Sequence, residues 1–144
     1  MGREDKPFNL SHVLAIAVFV RTGYALGIWC LGALVYAGQV SMGPELNSFF
    51  RAAPAWILAP WLLYVLAYGF SGVLIWRGRT DRALAFYGGG FTIDTAIWIA
   101  YTSVFLPDVA GTQWTVIADL VANLFDLSVL AWLAMLRVRA FASK

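Results

Sequence analysis

Four long apolar runs separated by short polar interruptions organise this chain. They cover residues 13–37, 55–76, 83–106 and 114–136, and each is long enough as a helix to cross a bilayer core of about 30 Å. Four membrane-spanning helices are therefore expected. The VYA tripeptide ending at Ala37 resembles a signal-peptidase site, but the run before it is too long for a signal h-region, so a retained span is expected. Between the first two runs, GQVSMGPELNSFFRAAP mixes apolar and charged positions, with Ser41 placed as a cap and Pro44 at a helix start. That segment reads as a short helix lying at the membrane surface. Pro60 is expected to bend the first turns of the second span. Gly88 to Gly90 either weaken the third span locally or let a neighbour approach closely.

The basic residues orient the spans. Arg3 and Lys6, then Arg77, Arg79 and Arg82, then Arg137, Arg139 and Lys144 all fall on one side, while the opposite connections carry only Arg51. Excess Lys and Arg mark cytoplasmic loops, so both termini are expected in the cytoplasm. The short second and third connections make their flanking spans antiparallel neighbours. The expected fold is all-α: a single integral membrane domain over residues 1–144, built as an antiparallel bundle of four transmembrane helices. The short surface helix lies in its first outer loop.

Composition agrees with this and removes other classes. Charged residues make up 12% of the chain and hydrophobic ones 61%, against about 25% charged in a soluble domain. The net charge of +2 does not point to nucleic acid, because the basic residues sit at helix ends, where topology accounts for them. One cysteine, Cys30, and one histidine, His12, exclude an internal disulfide and make a protein-borne zinc or haem site unexpected. Cys30 points away from Arg21, and His12 lies at the interface.

Polar residues inside the apolar runs are the first candidates for chemistry, since a charge in hydrocarbon costs a few kcal/mol even on lenient scales. Asp119, Asn123 and Asp126 are spaced four and then three residues apart, so on a helix they share an arc of about 60° over roughly 10 Å. Counted from the cytoplasmic ends, Arg21, Asp94 and Asp126 reach a similar depth near the bilayer midplane. One guanidinium facing two carboxylates leaves excess negative charge, so either one acid holds a proton or a cation is bound. Two readings stay open: an ion-paired triad that locks helix order, or the floor of a polar pocket.

The helix faces add an aromatic lining. Tyr87, Gly90, Trp98, Tyr101 and Phe105 share the face of Asp94, and Pro60, Trp61, Tyr64, Tyr68 and Ser71 align along the second span. Stripes at this spacing serve packing; beside an acid cluster, Tyr64, Tyr68, Trp98 and Tyr101 would also line a cavity for a flat apolar ligand such as a quinone, a sterol or an amphipathic amine. No bound cofactor is otherwise expected. Gly23 and Gly27 form a GxxxG pair about 120 to 160° around the first span from Arg21. If Arg21 faces inward, they face away and would suit close contact with a second copy of the chain or a membrane-protein partner; packing within the bundle is the other use of such a pair.

Catalytic constellations are sparse. The glycine triplet lacks the Lys and Ser or Thr of a phosphate loop, and Ser71, Ser103 and Ser128 have no histidine at their depth. Acid and base work by Asp94 and Asp126, as in a double-bond shift or hydration of an apolar substrate, is the one enzymatic reading left.

The layout resembles the DoxX-like small membrane proteins. The likeness lies in four spans with inward termini, an amphipathic outer segment ending in Pro54, and the turn GRTDRALA leading into a glycine-containing span. It implies an accessory subunit associated with quinone-linked redox complexes, and it carries no catalytic residue across. Where members of that group have an acidic residue in the second span, this chain has Tyr64 and Tyr68.

The expectation is therefore a small, bacterial-type inner-membrane protein, non-catalytic, acting as an accessory or ligand-binding subunit. Two alternatives accompany it: a proton- or cation-coupled carrier using Asp126, Asn123 and Asp119, and an intramembrane isomerase or hydratase.

Overall fold

A computed structural model describes residues 10–105 and 113–142; the terminal segments and the third connection lie outside the described residues. No strand occurs among them. The elements are α1 (Leu10–Tyr36), α2 (Pro44–Ala52), a 3-10 turn (Ala55–Ile57) that leads into α3 (Leu58–Trp76), α4 (Thr80–Ala100) continued by a π turn (Tyr101–Phe105), and α5 (Gln113–Ala142). Four segments, Leu10–Tyr36, Ala55–Trp76, Thr80–Phe105 and Ile117–Arg139, are long and apolar enough to cross a membrane.

Their surfaces suit that composition. Val20, Leu63, Val104 and Val138 are among the large apolar side chains left exposed, one from each of the four segments. In water such a surface would drive association; in lipid it is the expected outer face. The buried residues lie mainly where α3 packs against α1 on one side and α4 on the other, while α5 packs against α4 and α2 against α1. Helix α3 is thus the centre of the assembly.

Local chemistry departs from the sequence reading at several ends. Ser41 does not cap α2. Gly43, at φ 92°, occupies that position without a side-chain bond, because the chain must turn there through a left-handed conformation that glycine adopts freely. Asn47 reaches back to accept from the Met42 amide at 3.2 Å and to donate to Ser41 Oγ at 2.9 Å. Pro60 falls in the first turn of α3, where the backbone amides have no intrahelical partner to lose, and the irregularity is taken up beforehand by the 3-10 turn.

The basic connection is shorter than its composition implies. Helix α4 already begins at Thr80, with Asp81 in its first turn, where a carboxylate is favoured by the helix dipole. Arg137 Nε lies 3.6 Å from Asp81 Oδ1, so α5 also meets this end. Both groups are exposed, and such a pair contributes little. Helix α5 runs on to Ala142, past the end of its apolar run, since Arg137 and Arg139 are good helix formers.

The glycine triplet does not break α4. Its function is close approach at one position: a Cβ on Gly90 would stand 2.9 Å from Tyr68 Cδ1, whereas one on Gly89 would meet nothing within 4 Å. Gly90 therefore lets the Tyr68 ring lie flat against the α4 backbone.

Candidate functional site

All four long helices contribute to one polar knot near their middles. Arg21 of α1 places Nη2 3.1 Å from Asp94 Oδ2 on α4 and 3.1 Å from Asp126 Oδ2 on α5. Tyr68 of α3 donates its hydroxyl to Asp126 Oδ2 at 3.1 Å, and Tyr87 of α4 donates to Asp126 Oδ1 at 2.6 Å. The two tyrosine rings stack at 4.5 Å, which delivers both hydroxyls to the same carboxylate. The Arg21 guanidinium also stands 5.4 Å over the Tyr68 ring, close enough for a cation–π attraction. Helix register explains the convergence within α4: Tyr87 and Asp94 are two turns apart and share a face.

The two acids are held differently. Asp126 is 1% exposed and accepts from three side chains on three helices; charge-assisted bonds of this kind make a buried carboxylate tolerable. Asp94 retains 26% of its side-chain exposure and is bonded, among the described residues, to Arg21 alone. The guanidinium is 12% exposed, and its Nε is buried with no partner. Asp126 is therefore a saturated anchor, and the Asp94 side of the knot keeps free hydrogen-bonding capacity.

The remaining candidates divide. Asp119 is exposed and accepts from Trp98 Nε1 at 3.3 Å. Trp98 itself is 47% exposed. Asn123 is turned onto its own helix, donating to the Asp119 carbonyl at 2.8 Å rather than to the knot. Tyr64 packs edge-on against Tyr68 at 5.6 Å and backs the knot. Tyr101 belongs to a separate aromatic group near α2, against Phe49, Trp61 and Phe105. Gly23 and Gly27 are exposed on α1, and an added Cβ at either would meet nothing within 4 Å. Cys30 is exposed as a free thiol, and His12 packs edge-on against Trp76 at 4.5 Å.

One member of the knot was absent from the sequence-derived site: Tyr87. Its position seven residues before Asp94 was the available signal, but nothing in the sequence distinguished it from the other aromatics on that face. The clefts described in the structure lie elsewhere, against Gly78 to Arg82 and against Phe19, Val73, Trp76 and Arg77. Tyr64 and Tyr68 are packed side chains of the core. No three of His, Cys, Asp or Glu among the described residues are grouped to hold a metal ion.

Comparison of the chain with protein-family models, with curated proteins and with solved structures found no match in any of the three. The functional reading therefore rests on the geometry.

Proposed function

We propose that this chain is a small inner-membrane protein of bacterial type, a non-catalytic accessory or ligand-binding subunit. Its spans cross the bilayer as an antiparallel bundle with the basic end cytoplasmic, and its polar site is the Asp94 side of the knot. The observation that carries this reading is the asymmetry between the acids. A knot built only to lock helix order would satisfy both carboxylates alike; here Asp126 is saturated, while Asp94 and Arg21 Nε keep capacity. A ligand with a polar end and an apolar body would complete these groups while its body lies along the half-exposed Trp98. A quinone, a sterol-like molecule or an amphipathic amine has this form.

Native mass spectrometry of protein taken from its own membrane in gentle detergent or nanodiscs tests the proposal. A bound small molecule or partner subunit should be retained by wild type and by Tyr24→Phe, and lost in a folded Asp94→Asn variant. Equal retention by Asp94→Asn would reject Asp94 as the contact.

A second reading has its own observation: Asp119 is exposed on the same side of α5 as buried Asp126, and it is held by Trp98. Acids at two depths are the arrangement an ion-coupled carrier needs. Purified protein in liposomes would then move protons in response to substrate, and Asp126→Asn would abolish that movement.

A further inference from the structure

A second group of side chains, at the α2 end of the bundle and apart from the knot, carries unused hydrogen-bond donors. The Tyr101 and Tyr36 hydroxyls are buried without a partner, and the Trp61 Nε1, also buried, makes only a loose approach to Tyr64. Trp61 is 7% and Tyr101 6% exposed. Their rings meet edge to face at 6.2 Å, and the Tyr36 hydroxyl is close enough to Tyr101 to interact with it electrostatically. Donors from three helices thus lie in one packed aromatic cluster. An unmade bond of this kind costs about 1–3 kcal/mol, and in an apolar surround no solvent offsets it.

The neighbours of this cluster and its position define what it would take up. Phe49 stacks on Tyr101 at 5.3 Å and Phe50 lies parallel to Trp61 at 6.4 Å, so the short amphipathic α2 forms the cover, with Phe49 at its exposed edge. Tyr101 is presented by the π turn that ends α4, an irregularity that recurs at functional sites. An indole N–H can only donate, so the missing partner is an acceptor. Arg51, on the last turn of α2, reaches the Val35 carbonyl at 3.3 Å beside Tyr36 and is itself exposed. A cation at the rim and neutral donors one layer deeper match a phospholipid, whose phosphate lies outside its ester carbonyls.

We infer that the cluster of Tyr36, Trp61 and Tyr101 under α2 opens to take a phospholipid, whose ester carbonyl oxygen the donors hold and whose phosphate Arg51 meets. Entry requires Phe49 to swing off Tyr101. The site is independent of the Asp94 ligand, and its occupant fixes α2 against the ends of α1, α3 and α4.

The test compares two probes by native mass spectrometry of the full chain in detergent: a diacyl phosphatidylglycerol, and its diether analogue, which has the same phosphate but no ester carbonyl. Wild type should retain the diacyl lipid about tenfold better than the diether. In Trp61→Phe/Tyr101→Phe, which removes the donors and keeps the rings, the two lipids should be retained equally. Arg51→Gln should weaken both lipids and leave their ratio intact. Equal retention of the two lipids by wild type, or an unchanged preference in the double variant, would overturn the assignment. If the double variant proves unstable, Tyr36→Phe alone should still narrow the ratio, and an unchanged ratio there counts against the site.

Discussion

Tyr87 and Asp126 lie 39 residues apart on successive long helices, and the tyrosine hydroxyl donates to the carboxylate at 2.6 Å with both side chains fully enclosed. That bond makes Asp126 an anchor rather than an exposed acid. Together with Tyr68 and Arg21 it ties all four long helices at one level.

Removing that donor exposes its worth. Tyr87→Phe keeps the ring and its stacking on Tyr68 but strands one carboxylate oxygen in an apolar surround, at a cost of about 1–3 kcal/mol. Thermal unfolding in detergent should show a clear drop, while Tyr24→Phe, at a site 58% exposed, should unfold as wild type does.

Arg21→Leu should be more severe, by about 3–5 kcal/mol, because it leaves two carboxylates without their cation. Replacing Arg21, Asp94 and Asp126 together by Leu removes the charges but orphans the Tyr68 and Tyr87 hydroxyls. That triple variant should regain only part of the lost stability. Adding Tyr68→Phe and Tyr87→Phe should restore the rest, which denaturation of the series in one detergent would measure. If the five-fold variant folds well but loses its bound molecule in native mass spectrometry, the knot serves binding as well as assembly.

Two adjacent glycines should respond in opposite directions. Gly90→Ala drives a methyl into the Tyr68 ring and should cost about 1–3 kcal/mol, whereas Gly89→Ala meets open space and should be neutral or stabilising by up to about 1 kcal/mol. Thermal melts of the two variants side by side decide this.

On the face of α1 that carries Gly23 and Gly27, a Cβ added at either glycine would meet nothing within 4 Å. Gly23→Leu/Gly27→Leu should therefore leave thermal stability in dilute detergent within about 0.5 kcal/mol of wild type. If the chain pairs through this face, cross-linking of a dimer in liposomes should fall sharply in the same variant.

Much of the architecture was readable from the chain alone. Apolar runs of the right length settle four long helices, because each run needs only its own residues to form hydrogen-bonded turns. The helix ends were less legible: Gly43 replaces Ser41 at the start of α2, and α5 outlasts its apolar stretch. Such limits depend on caps and packing rather than on hydropathy. Counting residues placed Arg21, Asp94 and Asp126 at similar heights, because rise per residue is a fixed property of a helix.

Height is not direction. Whether Asn123 points to the knot or folds onto its own backbone depends on how α5 is turned against α4. The same rotation, with the relative height of α3, decides which tyrosines complete Asp126. These choices are made by contacts between helices, such as Tyr68 lying against Gly90, and no local periodicity encodes them. The sequence by itself therefore determined the helices and the presence of costly charges within them. Only the tertiary structure decided that one acid would be sealed by Arg21, Tyr68 and Tyr87 while the other stayed open.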